Sequence, residues 1–220
     1  MQPHTSTPES PAQTKGRLIR WASSYDGLVN ILTLGHARNL RLLTVDQAML
    51  KPGENILDVG CGTGSVTIPA KKRVGQNGMA AGIDPAPEMI AVARQKASRE
   101  GLEIDFRLGV IESLPFPNET FDAVTSSLMM HHLPHDLQVK GLAEIYRVLK
   151  PGGRLLIADM MRPGGSFFKQ FFASLTLHHG LKFGIEDLPA MLEEAGFEEI
   201  KQLEARFLII GFVYATKPTG

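Results

Sequence analysis

Three glycines, Gly60, Gly62 and Gly64, fall within five positions of a 220-residue chain, directly behind a short apolar run that ends in an acid: "ILDVGCGTGS", residues 56–65. Glycine there removes the Cβ that would hold a ligand off the backbone. A second acid, Asp84, closes the next apolar run, "GMAAGID" (78–84), twenty positions after Gly64. An acid at the end of a second strand can accept hydrogen bonds from a ribose diol, so the ligand implied carries a ribosyl or adenosyl group. Two adjacent histidines, His131 and His132, follow a later apolar run. Imidazole is the side chain best suited to take up a proton near neutral pH. With His135 they read "HHLPH", but Pro134 interrupts any helix there and no acid or cysteine completes a metal site. The plainer alternatives are a tight turn that holds nothing and histidines that only pack.

These residues need a frame. "NILDV" (55–59), "GMAAGID" (78–84), "EIDFRLG" (103–109), "FDAVTSSL" (121–128) and "RLLIAD" (154–159) read as strands. Between them, 65–74, 86–100 and 136–150 carry apolar residues at helical spacing, with Gly101 ending the second helix and Pro151-Gly152-Gly153 ending the third. Pro69 is tolerable if the first helix starts near Val66, because a missing N–H costs little in a first turn. Strand–helix–strand alternation predicts a parallel sheet with helices on both faces, and unbroken apolar strands agree with burial on both sides. Residues 184–197 predict one more helix, and 198–205 with 206–218 predict a hairpin closed by a tight turn at one edge of the sheet. The stretch 1–14, rich in Pro, Ser, Thr and Gln, reads as a mobile tail.

The ligand can be narrowed by charge. The spacing is G-x-G-x-G, not the dinucleotide G-x-G-x-x-G, and Asp58 precedes it on the ligand side. An aspartate close to a pyrophosphate would be repelled, whereas it suits a cation. S-adenosylmethionine carries a sulfonium and an ammonium and no phosphate, which favours it over NAD. Net charge is zero and the pI near neutral, so the basic footprint of a nucleic-acid binder is missing. No apolar run approaches the roughly 18 residues of a membrane span. One cysteine, Cys61, excludes an internal disulfide and suggests a reducing, cytoplasmic setting.

"LDVGCGTGS", "GIDPAPEMI", "FRLGVIESLPFPNETFDAVTSSLMMHHL" and "LKPGGRLLIAD", in that order over about residues 50–160, resemble the class I S-adenosylmethionine-dependent methyltransferases. Within them the chain is most similar to the ubiquinone/menaquinone biosynthesis C-methyltransferase group, whose N-terminal helical cap "WASSYDGLVNILTLGHARNLR" (21–41) resembles; "RPGGSFFKQFFASLTLHHG" (162–180) departs from that group. The resemblance implies a Rossmann-like α/β fold, a seven-stranded, mostly parallel sheet whose last strand is antiparallel. It divides the chain into the tail, a cap at 15–50 and a catalytic domain at 51–220 with an acceptor-side insertion near 160–185.

The same resemblance implies roles. Asp58, Gly60, Cys61 and Gly62 line the methionine part of the cofactor; Asp84 holds the ribose; Pro85 and Met89 border the adenine. Gly109, Val110 and Ile111 cover its other side, Val110 standing where relatives often place an aspartate. Ser127 and Leu128 lie near the methyl group, and Tyr25 closes from the cap.

Methyl transfer asks little of side chains beyond placement, because the sulfonium is already activated. A carbon or phenolic acceptor gains from a general base, for which His131 and His132 are the candidates; His36, His178 and His179 are weaker ones. Phe167, Phe168, Phe171, Phe172 and Leu175 form an apolar stripe, read as a lid, an acceptor lining or a homodimer contact. The expectation is an enzyme methylating a small apolar or aromatic molecule. A lone cysteine speaks against arsenite chemistry. An NAD-linked oxidoreductase and a non-catalytic cofactor-binding scaffold are the alternatives.

Overall fold

The computed structural model describes Asn30 and residues 35–162, 183–204, 207 and 209–220. The expectations that fall on Tyr25, on His178 and His179, and on the aromatic stripe of 167–175 lie outside the described residues.

The strands are β1 (Asn55–Val59), β2 (Met79–Asp84), β3 (Asp105–Leu108), β4 (Phe121–Ser127), β5 (Leu149–Met160), β6 (Glu198–Gln202) and β7 (Ile210–Thr216). They form one seven-stranded sheet in the order β3-β2-β1-β4-β5-β7-β6. β1 is central and parallel to β2 and β4, β3 continues the parallel run beyond β2, and β5 lies parallel to β4. β7 is antiparallel to both β5 and β6 and slots between them. This is the Rossmann-like arrangement expected, with the last strand reversed.

Five α-helices are named here: α1 (Ala37–Gln47), α2 (Thr67–Val74), α3 (Pro87–Arg99), α4 (His135–Val148) and α5 (Leu188–Glu194). Successive residues of a strand point to opposite faces, and β1 shows the consequence. Leu57 and Val59 pack into a core with Leu142, Ile145 and Val148 of α4 and Leu188 and Leu192 of α5. Ile56 packs on the other face with Leu40 and Val45 of α1 and Ala70 and Val74 of α2. α3 adds Ile90, Ala93 and Ala97 to a smaller cluster with Cys61 and Phe106. Asp58 lies between Leu57 and Val59, so its carboxylate is directed to the α1–α2 face.

Residues 37–50 therefore pack into the core on this face of the sheet. The tie is electrostatic as well as apolar. The Arg154 guanidinium, only 12 % exposed, donates to the Ala48 and Met49 carbonyls (2.9 Å each) and to both carboxylate oxygens of Glu54.

Three expectations change. Pro151-Gly152-Gly153 does not divide helix from strand: β5 starts at Leu149, straight after α4, and the three residues bulge out of the ladder, since Phe121 pairs with Leu149 and Ala123 with Arg154. Gly152, at φ +73°, donates its N–H to the Lys217 carbonyl at 3.0 Å, which anchors the bulge to the chain end. The helix predicted over 184–197 is a 3₁₀ turn (Ile185–Asp187) followed by α5, because Asp187 turns back to accept the Gly184 N–H and Pro189 starts a new first turn. The hairpin's tight turn is displaced from the 205/206 boundary: Phe207 and Ile210 exchange both backbone hydrogen bonds (3.0 and 2.9 Å) and close the turn there, while the Leu203 N–H donates to the Phe212 carbonyl at 2.9 Å.

Candidate functional site

The carboxyl ends of β1, β2, β4 and β5 meet along one side of the sheet, where a parallel sheet places its ligands. After β1 the chain turns through Gly60 and Gly64, both at positive φ (+73° and +76°). A Cβ on Gly60 would stand 2.5 Å from Met129 Cγ, and one on Gly64 would stand 2.9 Å from Phe106 Cζ. These positions need glycine for conformation and for space. The turn is held from β2: the Gly60 and Cys61 N–H groups both donate to the Ile83 carbonyl at 2.9 Å.

Asp84 fastens the same turn. One carboxylate oxygen accepts the Gly62 N–H at 3.0 Å, and the other accepts the Ala86 N–H at 2.9 Å at the start of α3. Burial pushes its pKa up to about 6, against the opposing pull of those two amides. Asp58 is 1 % exposed beneath the turn. The Thr67 hydroxyl donates to one of its oxygens at 2.6 Å and the Thr125 hydroxyl to the other at 3.0 Å. Burial raises its pKa to about 6; the two hydroxyls oppose this, and the Asp84 charge adds to it. The pair thus forms an acidic floor in which each carboxylate would gain from a cation.

A cleft opens above this floor. Gly60, Cys61, Gly62, Ser127 and Leu128 line it, with Asp58 at its base and Leu40 and Arg41 of α1 on the far wall. Leu128, at φ +54°, turns the chain sharply at the end of β4. Cys61 is buried, and burial first, then the Asp58 and Asp84 charges, hold its pKa well above the ordinary thiol value, so it stays a protonated, inert thiol.

The other expected residues are placed as follows. Pro85 is half-buried after Asp84, and Met89 is buried with Ala86 in a small cluster on α3. Val110 is half-buried and bridges to Ser113. The Ile111 side chain turns away, into the core, 2.5 Å from where a Cβ on Gly141 of α4 would be. Only its backbone is left for any ligand.

His131 and His132 sit in a 3₁₀ turn, Met130–His132, just past β4. Their rings lean together with centroids 3.9 Å apart. His131 Nδ1 lies 2.6 Å from Oδ1 of Asp159, a fully buried acid near the end of β5. His135 and His36 are exposed at helix starts. Among the described residues no three His, Cys, Asp or Glu side chains gather as a metal site would.

Sequence reasoning missed Asp159, Leu40 and Arg41. Asp159 carried a signal, an acid closing the apolar run "LLIAD" as Asp84 closes "GMAAGID". Leu40 and Arg41 carried none, because only packing brings α1 to the cleft.

The fold and this cleft define a class of enzyme, and the comparisons agree. Residues 56–153 match the family described as "Methyltransferase domain". The demethylmenaquinone methyltransferase of Deinococcus radiodurans is 35% identical over 176 residues, 78% of this chain and 72% of that protein. The arsenite methyltransferase of Halobacterium salinarum is 37% identical over 157 residues, 70% of this chain but only 40% of that protein. A SAM-dependent methyltransferase from Aquifex aeolicus has the same fold at TM-score 0.70 and 24% identity, over 89% of this chain and 97% of that one. The chain belongs to the class I S-adenosylmethionine-dependent methyltransferases, and S-adenosylmethionine is its cofactor. The described part holds no helix long and apolar enough to cross a membrane.

The site fits that cofactor on its own terms. The turn brings the backbone of Gly60, Cys61 and Gly62 to the wall of the cleft. The site's two acids have elevated pKa values that a cation would relieve and a pyrophosphate would worsen.

Proposed function

We propose that the enzyme methylates a small, apolar, aromatic molecule bearing an ionisable hydroxyl, with a quinol as the leading candidate. In this reading Asp84 accepts the ribose hydroxyls, the glycine turn and Asp58 hold the methionine end, Pro85, Met89 and the Val110 backbone border the adenine, and Ser127 and Leu128 flank the methyl. The bound cofactor supplies an activated methyl group on a sulfonium. The protein's own part is to bring the acceptor atom within about 3 to 3.5 Å in line, to exclude water, and to take the acceptor's proton on His131. Removing the hydroxyl proton of a quinol or phenol raises the electron density on both its oxygen and its ring carbons. His132, against the His131 ring, is the second candidate for that proton.

One observation carries the reading. The glycine turn and the end of β4 share a single cleft, and the chain leaves β4 and β5 through an imidazole and the half-buried apolar side chains of Leu128, Met129, Leu133 and Met161. Those surroundings suit an uncharged ring better than an amine or an oxyanion. The relatives named for a quinone and for arsenite bracket the choice, and the single, buried Cys61 weighs against a thiol-binding arsenic substrate.

The test is methyl transfer from S-adenosylmethionine to a panel of reduced prenylated 1,4-naphthoquinones, phenols and amines, with products read by mass spectrometry. Turnover of the quinols or phenols is expected. Turnover of amines alone overturns the acceptor class. Tight cofactor binding with no turnover anywhere favours a scaffold.

A further inference from the structure

We propose that Asp159 is a positioning residue: it holds the His131 imidazole as the Nδ1–H tautomer and leaves Nε2 as the basic nitrogen for the acceptor's proton. The inference rests on the reading of His131 as the base. It adds a residue that neither the motifs nor the comparisons single out.

The argument starts from the cost of Asp159. It is fully buried, four residues into an apolar run through the middle of the sheet, paired across to Gly211 of β7. A buried carboxylate costs several kcal/mol unless donors satisfy it. Three donors do. The Met160 N–H reaches Oδ1 at 2.7 Å, the His131 N–H reaches Oδ2 at 3.3 Å, and His131 Nδ1 reaches Oδ1 at 2.6 Å. Two of the three come from His131. The acid thus grips both the backbone and the ring of one residue, and it fixes the position and the rotation of the imidazole together.

The chemistry follows from the acceptor-only nature of an ionised carboxylate. A nitrogen 2.6 Å from it must carry the hydrogen. In the neutral ring the other nitrogen, Nε2, then has the lone pair. The His131 side chain is 12 % exposed, whereas Asp159 is not exposed at all. The accessible part of the ring is therefore not the Nδ1 edge. When Nε2 accepts a proton, the imidazolium forms against a fixed negative charge. A clip that served folding alone would need only the backbone N–H of His131; the ring bond is the part that sets a tautomer. His132, whose ring leans on His131 from within the same turn, is the other titratable group at this place.

The step balances. The acceptor's O–H bond breaks, its electron pair stays with the acceptor, and the proton passes to Nε2. The acceptor's new bond to the methyl carbon forms as the methyl–sulfur bond breaks, and that bond's electron pair leaves with the sulfur as neutral S-adenosylhomocysteine. On an oxygen acceptor the proton held by Nε2 then goes to solvent; on a ring carbon the C–H proton is lost as the ring rearomatises and the oxygen regains one, so either way one proton per turnover reaches solvent. No oxidant or reductant is required.

Four proteins separate the outcomes: wild type, Asp159→Asn, His131→Ala and the double variant. In wild type, ¹⁵N–¹H correlation spectra of the histidine rings are expected to show His131 as Nδ1–H. Asp159→Asn, whose amide can donate where the acid could only accept, is expected to shift His131 toward Nε2–H. Its kcat for methylating a reduced prenylated 1,4-naphthoquinone should fall about 100-fold, the scale of a general base, and its pH–kcat limb should move. The Kd for S-adenosylmethionine should be unchanged by calorimetry. The double variant should be no slower than His131→Ala.

An Nε2–H tautomer in wild type overturns the proposal whether or not Asp159→Asn folds. So does an Asp159→Asn enzyme with full kcat beside a crippled His131→Ala, which leaves the base assignment standing. Full kcat in His131→Ala removes the base assignment itself and the proposal with it.

Discussion

Asp58 and Asp84 show how single residues can be costly for the empty protein and useful to the loaded one. Each keeps its proton to about pH 6 in the folded chain, against about 4 in an unfolded one. The folded state therefore binds more protons between those values. The stability that this provides is complete below about pH 4 and is lost as pH rises through 6. A shift of this size corresponds to about 3 kcal/mol per group. A cationic ligand reverses the preference, because it wants both groups ionised. The affinity for S-adenosylmethionine should rise about tenfold for each of the two groups between pH 5 and pH 7, the fraction ionised being the limit, while the melting temperature of the empty protein falls over the same interval. Calorimetric titration and thermal melts at matched pH check the two opposite slopes. Asp84→Ala also strips the Gly62 and Ala86 amides of their acceptor. It should weaken cofactor binding at least tenfold, about 1.4 kcal/mol, and flatten the pH dependence. Undiminished affinity would mean that Asp84 only braces the loop.

Among the elements, the glycine turn and α1 make separable demands. Gly60→Ala meets two costs at once, a positive φ and a Cβ 2.5 Å from Met129 Cγ at the end of β4. Because the Met129 atom is close to its own backbone, the end of β4 must shift. A stability loss of about 1–3 kcal/mol is expected, with weaker cofactor binding; urea unfolding and calorimetry read the two. Arg154 does for α1 what backbone pairing does for a strand, joining the Ala48 and Met49 carbonyls and Glu54 to β5. Arg154→Leu removes the donor to two carbonyls and leaves Glu54 with the Lys51 N–H alone. A loss of about 1–3 kcal/mol is expected, the cost of leaving partly buried acceptors short of a donor. α1 also supplies Leu40 and Arg41 to the cleft, so cofactor affinity should drop with stability. A variant that unfolds at the wild-type urea midpoint would show that the apolar contacts of α1 suffice.

For the molecule as a whole, folding and cofactor binding are coupled, because the cleft is assembled from α1, β1, the glycine turn and the end of β4 and exists only when all are in place. A ligand that binds only the native state at 100 times its Kd stabilises by about 2.7 kcal/mol. For a chain of this size that raises the melting temperature by roughly 5–10 °C. S-adenosylmethionine and S-adenosylhomocysteine should do this and NAD should not. A shift with NAD and none with the sulfonium would contradict the charge logic of the acidic floor.

The order of strands and helices, the glycine turn and Asp84 were all legible in the residues, because each rests on a local rule: apolar runs make buried strands, glycines allow close backbone approach, and an acid ends the second strand. Boundaries failed where a distant partner intervened. Pro151-Gly152-Gly153 looked like a terminator but is a bulge, since the Lys217 carbonyl is there to anchor it. The tight hairpin turn was right in kind and misplaced in the chain, because the pairing of Phe207 with Ile210 closes it beyond the expected boundary at 205/206. At the site, sequence spacing paired His131 with His132. Tertiary structure paired it with Asp159, 28 residues away. Neighbouring parallel strands bring their carboxyl ends together whatever chain lies between them, and that proximity leaves no periodicity in the sequence. Residue types therefore determined what chemistry was available, and the sheet decided which groups would share it.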